Sequence, residues 1–196
     1  MKVVIIDTGC SNILSIKWAF KRIGYNTYVS CDPDIVLSAD KLILPGIGTV
    51  KTVMKHLNKK KLINLIKSYK KPVLGICLGM QILGSNSEEN EGIKTLGIIN
   101  EPVLLMNYQN LILPHTGWNK IKFLSNNDLF KNIQDNSYFY FMHSYAMPLS
   151  TNTIGQFYHG KTFTAVMQKD NFFGVQFHPE RSSKAGLQLL KNFLEI

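Results

Sequence analysis

Cys77, His178 and Glu180 are the residues whose types and spacing offer chemistry. Cys77 lies in Val73-Leu74-Gly75-Ile76-Cys77-Leu78-Gly79-Met80-Gln81. The apolar run before it reads as a buried strand and residues 78–83 as the start of a helix, with the thiol at the corner. That layout is a nucleophile elbow built around Cys. Glycines on both sides let the chain fold tightly around a strained residue, and a thiol at a helix start feels the positive end of the helix dipole. A nucleophilic Cys also needs a base and something to orient it. Of five histidines, His56, His115, His143, His159 and His178, the last follows an apolar strand at 172–177. Functional groups collect at such strand ends in an α/β sheet. Glu180 stands two residues on, across a proline that biases His178 toward extended backbone, so its carboxylate reaches the imidazole. The spacing predicts a Cys-His-Glu triad.

A tetrahedral oxyanion needs donors as well. The Leu78 N–H is one, and the Gly-rich segment Pro45-Gly46-Ile47-Gly48 offers another at the end of a third strand. Cys10 and Cys31 read as small apolar side chains.

The elements that must carry these residues alternate through the first half. Strands are expected at 2–7, 26–30, 41–44 and 73–76. Helices are expected at 12–22, with Ser11 as N-cap, then at 50–57 and 62–69. Such alternation implies a mostly parallel central sheet flanked by helices. After about Gly92 come short β-rich segments at 98–106, 120–123, 138–142, 153–158, 162–168 and 172–177. A helix at 183–194 then turns Leu187, Leu190, Phe193 and Leu194 inward. One α/β domain over residues 1–196 with an antiparallel extension follows.

At 196 residues and 45% hydrophobic, the chain suits a single core. No stretch has the roughly 18–20 apolar residues of a membrane span, and the short apolar N-terminus reads as a strand rather than a signal peptide. Three cysteines without paired spacing favour a reducing compartment, the cytoplasm. The net charge of +9 owes much to Lys55, Lys59, Lys60, Lys61, Lys67, Lys70 and Lys71. That cluster lacks interleaved aromatics, zinc spacing or an RNA-binding signature, so it reads as a solvated or protein-facing surface rather than a nucleic-acid site.

Taken together, the elbow and His178-Pro179-Glu180 resemble the nucleophile and base motifs of class I (triad) glutamine amidotransferases. Further segments narrow the likeness: Asp7-Thr8-Gly9-Cys10-Ser11-Asn12, Leu44-Pro45-Gly46-Ile47-Gly48-Thr49, Pro114-His115-Thr116-Gly117-Trp118-Asn119, Phe141-Met142-His143-Ser144-Tyr145-Ala146, and residues 173–182. They are similar to the glutaminase subunits of imidazole glycerol phosphate synthases, over nearly the whole chain. The resemblance implies a flavodoxin-like fold, with glutamine hydrolysed at Cys77 and no metal or organic cofactor. It implies an oxyanion hole from Leu78, Ile47 and Gly48, and glutamine held by Gly46, Gly48, Gln81, His143, Ser144 and Tyr145. It implies a heterodimer with a (β/α)8-barrel cyclase, contacted or signalled to through Asn12, Trp118, Tyr138 and Arg181. Thr116 and Ile47 depart from the expected pattern without touching the triad. Another class I amidotransferase system, a free-standing cysteine hydrolase, or a nucleic-acid module with a vestigial triad stay open at this point.

Overall fold

The computed structural model describes residues 1–9, 12–89, 92–107 and 111–196. Cys10 and Ser11, expected as an apolar thiol and a helix cap, lie outside the described residues.

The parallel half follows from three short, wholly buried runs: β1 (Val3–Ile6), β3 (Lys41–Leu44) and β4 (Val73–Ile76). Sheets covered on both faces read as continuous apolar runs rather than alternations. The period of two still sorts their side chains: Val3, Ile5, Ile43, Leu74 and Ile76 join one core. Val4, Ile6, Leu42, Leu44 and Val73 join the core on the other face. α1 (Ile13–Arg22) and α6 (Ser183–Glu195) cover the first face. α3 (Val50–Lys59) and α4 (Leu62–Ser68) cover the second. β2 (Thr27–Ser30) edges the sheet beside β1.

The antiparallel extension is continuous with this sheet. β9 (Lys122–Phe123), β12 (Thr153–His159), β13 (Lys161–Lys169) and β14 (Phe172–Val175) complete the order β2-β1-β3-β4-β14-β13-β12-β9. β14 pairs parallel with β4 and antiparallel with β13. A separate antiparallel ribbon joins β8 (His115–Lys120) to β10 (Tyr138–His143), and two short antiparallel pairs are β5 (Asn86–Ser87) with β6 (Ile93–Lys94) and β7 (Leu104–Leu105) with β11 (Tyr145–Ala146).

Some expectations shift. α2 (Pro33–Leu37) is an additional helix, started by Asp32, whose carboxylate accepts from the N–H groups of Asp34 and Ile35, with proline at the first turn. The apolar stretch 98–106 is a strand only at β7 (Leu104–Leu105). Ile98 and Ile99 instead donate their N–H groups to the Leu83 carbonyl at 3.0 and 2.9 Å, wrapping the end of the helix after Cys77. In α6, Leu189 is buried in the core and Leu187 only partly so.

Candidate active site

The corner after β4 is strained as the elbow requires. Cys77 has φ 54° and ψ −111°, and α5 (Leu78–Gln81) begins at the next residue. A non-glycine residue held there costs on the order of 1–3 kcal/mol, a cost the surrounding fold must offset. The Cys77 N–H still donates to Val175 O at 2.8 Å, so the β4–β14 ladder runs up to the turn.

β14 leads into His178 beside that corner. His178 Nδ1 and Glu180 Oε1 are 2.8 Å apart, with both side chains buried. The Cys77 sulfur is the imidazole's other electrostatic partner. Burial disfavours the imidazolium, but the Cys77 sulfur and the Glu180 carboxylate together outweigh it and raise His178 from 6.5 to about 10. The histidine therefore carries its proton through neutral pH. Its backbone is fixed too: His178 N donates to Tyr140 O at 2.8 Å. The Ser182 hydroxyl donates to His178 O at 2.6 Å and accepts from Tyr140 N at 2.9 Å. Arg22 donates to Glu180 O at 3.3 Å.

The thiol opens into a cleft of about 620 Å³. Gly46, Ile47, Gly48, Leu78, Gln81, His143, Ser144 and Tyr145 all line it with Cys77, His178 and Glu180, as do Asn12 and Arg181. Gly46 lies so close to the elbow that a Cβ there would stand 2.5 Å from Leu78 Cβ. The loop carrying Gly48, with φ 105°, thus sits against the helix start beside Cys77. Gln81 spends its amide nitrogen within the protein, donating to Tyr145 O at 2.8 Å and Gln176 Oε1 at 3.1 Å.

Trp118 and Tyr138 do not line the cleft. They are 53% exposed each on the outer face of the β8–β10 ribbon, where Met142 is also exposed. Trp118 pairs across the ribbon with Tyr140, and the Arg181 guanidinium lies 4.9 Å from the centre of the Tyr140 ring. Lys120 stands over Tyr138 at 5.4 Å.

Two further residues come to the site unannounced. Glu89 lines the cleft and accepts from Val50 N at 2.6 Å, tying the cleft wall to the start of α3. No residue type near it marked it. Gln176 is wholly buried, and its amide nitrogen approaches Cys77 Sγ at 3.8 Å. Its signal was a lone polar residue between Val175 and Phe177, since a buried amide must find partners. Among the described residues no cluster of His, Cys, Asp or Glu is arranged to hold a metal.

The family model for class I glutamine amidotransferases matches residues 4–196. The chain belongs to the class I glutamine amidotransferases. Among curated relatives, the imidazole glycerol phosphate synthase subunits HisH of Yersinia pseudotuberculosis and Escherichia coli K12 are each 57% identical over 196 residues, spanning all of both chains. A crystal structure of a glutamine amidotransferase superposes with a TM-score of 0.76 at 16% identity, covering 98% of this chain and 97% of that one. The amidotransferase fold is flavodoxin-like, a large mostly parallel sheet between helices.

Proposed function

We propose that this amidotransferase is the glutaminase subunit of an imidazole glycerol phosphate synthase, releasing ammonia from glutamine at Cys77 for a (β/α)8-barrel cyclase partner in histidine biosynthesis. The full-length 57% identity to HisH subunits carries the subfamily, and the Cys77–His178–Glu180 line supports the chemistry. The Cys77 thiolate attacks the amide carbon of glutamine, and the charge passes to the amide oxygen. Donors from Leu78 and the Ile47–Gly48 loop stabilise that oxyanion. As the C–N bond breaks, the His178 imidazolium gives its proton to the departing nitrogen, which leaves as ammonia. The neutral imidazole then takes a proton from water, whose oxygen attacks the thioester and frees glutamate and the thiolate. Glu180 holds the imidazole in one orientation and favours its charged form.

Glutamine carries a carboxylate and an ammonium. Gly46, Gln81, His143, Ser144 and Tyr145 shape its seat, and the Glu89 carboxylate supplies negative charge for the ammonium. Ammonia released into water is mostly protonated and no longer a nucleophile, so a docked acceptor is chemically required for its use. Trp118, Tyr138, Tyr140 and Met142 with Arg181 at the rim offer aromatic and arginine anchors of the kind that dominate interfaces. Met142, Arg181 and Asn12 also border the cleft, so a partner on that face would cover its mouth. The single domain would work in the cytoplasm and needs no metal or organic cofactor.

The test is glutamate release from glutamine, with and without the cyclase subunit and its nucleotide ligand. Cys77→Ala should abolish release and glutamine-fed cyclisation, while ammonium salts still feed the partner. Glutamate release by a folded Cys77→Ala protein would end the proposal.

A further inference from the structure

Behind the cleft, one row of side chains has its hydrogen-bond directions fully determined. His143 Nδ1 lies 2.8 Å from Tyr145 O, a carbonyl that only accepts, so the proton sits on Nδ1. His143 is buried and faces the charged His178; burial first, and then its histidine neighbours, hold it neutral, down to about 3. Its Nε2 is therefore an acceptor, and 3.3 Å away stands His115 Nδ1, which must donate. His115, lowered to about 4 by burial and by His159, then has only a lone pair on Nε2. Asn119 Nδ2 meets that lone pair at 3.3 Å and also donates to Tyr158 O at 2.9 Å. Lys120 N donates to Asn119 Oδ1 at 2.8 Å, which fixes the amide the same way round. The ring plane of His115 is set independently, by stacking on His159 at 4.1 Å, Phe141 at 5.0 Å and Phe157 at 5.5 Å.

The row ends on Tyr145 O, and a second one starts there. Gln81 donates to the same carbonyl and to Gln176, whose amide nitrogen reaches Cys77 Sγ. One peptide carbonyl thus joins the inner face of β8 to the nucleophile. Residues 115 and 119 lie on that inner face, while Trp118 between them points outward. Neither His115 nor Asn119 lines the cleft.

We propose that His115 and Asn119 are positioning residues of the glutaminase site, acting through His143 to hold the Tyr145 carbonyl, and with it Ser144 and Tyr145, in register with Cys77. The proposal rests on the cleft being the glutamine site. Its structural part stands apart from that reading, because the row dictates tautomers in the free protein.

The first experiment is 15N NMR of the histidine rings at pH 7. His115 and His143 should both carry the proton on Nδ1, whereas histidines in water favour Nε2. A proton on Nε2 of either, or an imidazolium at either, overturns the row. The second experiment measures glutamine turnover in the complex with the cyclase subunit. His115→Phe keeps a ring for the stack and removes both nitrogens, and it should raise KM for glutamine about tenfold, the worth of one buried hydrogen bond, with kcat changed far less. His115→Asn places an amide nitrogen near the lost Nδ1 and should recover most of that loss. Asn119→Asp turns a carboxylate toward His115 Nε2, so it should draw a proton onto that atom and raise KM as well. A lower melting temperature with KM unchanged in His115→Phe and Asn119→Asp would reduce both residues to structural parts and refute the proposal. Glutaminase activity surviving in Cys77→Ala would instead refute the site reading while leaving the tautomers standing.

Discussion

Replacing Glu180 by Gln removes one charge and little else. The amide oxygen can still accept from His178 Nδ1, so the imidazole keeps its orientation. The carboxylate charge, however, helps hold His178 at about 10. Two unit charges about 4 Å apart at an effective dielectric near 20 interact by about 4 kcal/mol, equivalent to about three pKa units. His178 should then fall to about 7, because burial keeps pushing the ring toward its neutral form. Near neutral pH about half of the variant would lack the proton that the leaving nitrogen needs. At pH 8, about one unit above that midpoint, only about a tenth of the variant would hold the proton, so a drop of at least about tenfold in glutamate release is expected. The assay is glutamate release at pH 8 in the cyclase complex, read beside an NMR titration of the His178 ring. The reported midpoint belongs to the Cys77–His178 pair and is compared between wild type and variant on that basis. A variant His178 that keeps its proton past pH 9, or a rate within about twofold of wild type at pH 8, would refute the reasoning.

Gly46→Ala would drive a methyl into Leu78 and part the loop from the elbow. It should cost about 1–3 kcal/mol in urea unfolding and, through the displaced oxyanion donors, about 10²–10³ in turnover. Trp118→Ala should weaken cyclase binding at least about thirtyfold by calorimetry while leaving the melting temperature of the free subunit unchanged. Acid should destabilise the fold through its buried neutral rings. Between pH 6.5 and about 4, His115 and His143 take a proton in the unfolded chain and refuse it in the folded one. Stability should therefore fall as pH falls, by up to about 1.4 kcal/mol per pH unit for each. Urea titrations at pH 6.5, 5.5 and 4.5 should show a shallower decline in His115→Phe, and equal slopes would count against buried neutral histidines.

Covalently local features were the most legible in the sequence. The elbow around Cys77 spans a few residues, and His178 is extended before its proline as expected, but Glu180 reaches the imidazole from a 3-10 turn over Pro179–Arg181 rather than from extended chain. The buried runs at β1, β3 and β4 read directly as well. What escaped depends on distant partners. The apolar stretch 98–106 carries a strand-like pattern, but the free carbonyl of Leu83 captures its N–H groups first. Glu89 reaches the cleft only because Val50, far away in sequence, needs an acceptor. The row from Asn119 to Tyr145 requires β8, β10 and β12 to be assembled before any of its members has a role. Trp118 and Tyr138 come from the family resemblance, and only the alternation of the ribbon sets them on its outer face with Met142.

The place of β14 has a further consequence, for the route by which the chain folds. It follows every other strand in chain order, yet it lies in the interior of the eight-stranded sheet, joining the parallel half to the antiparallel half. Its register sets Gly174 against Gly75 and Val175 against Ile76, pairings across most of the chain's first and second halves. Such long-range closure is slow compared with local helix and hairpin formation. Until β14 inserts, Cys77 has neither His178 nor Glu180 beside it. Once it inserts, His178 and Glu180 arrive on the same segment. On the proposed mechanism, completing the sheet and assembling the glutaminase site are therefore one event, and an incompletely folded chain would be spared from wasting glutamine.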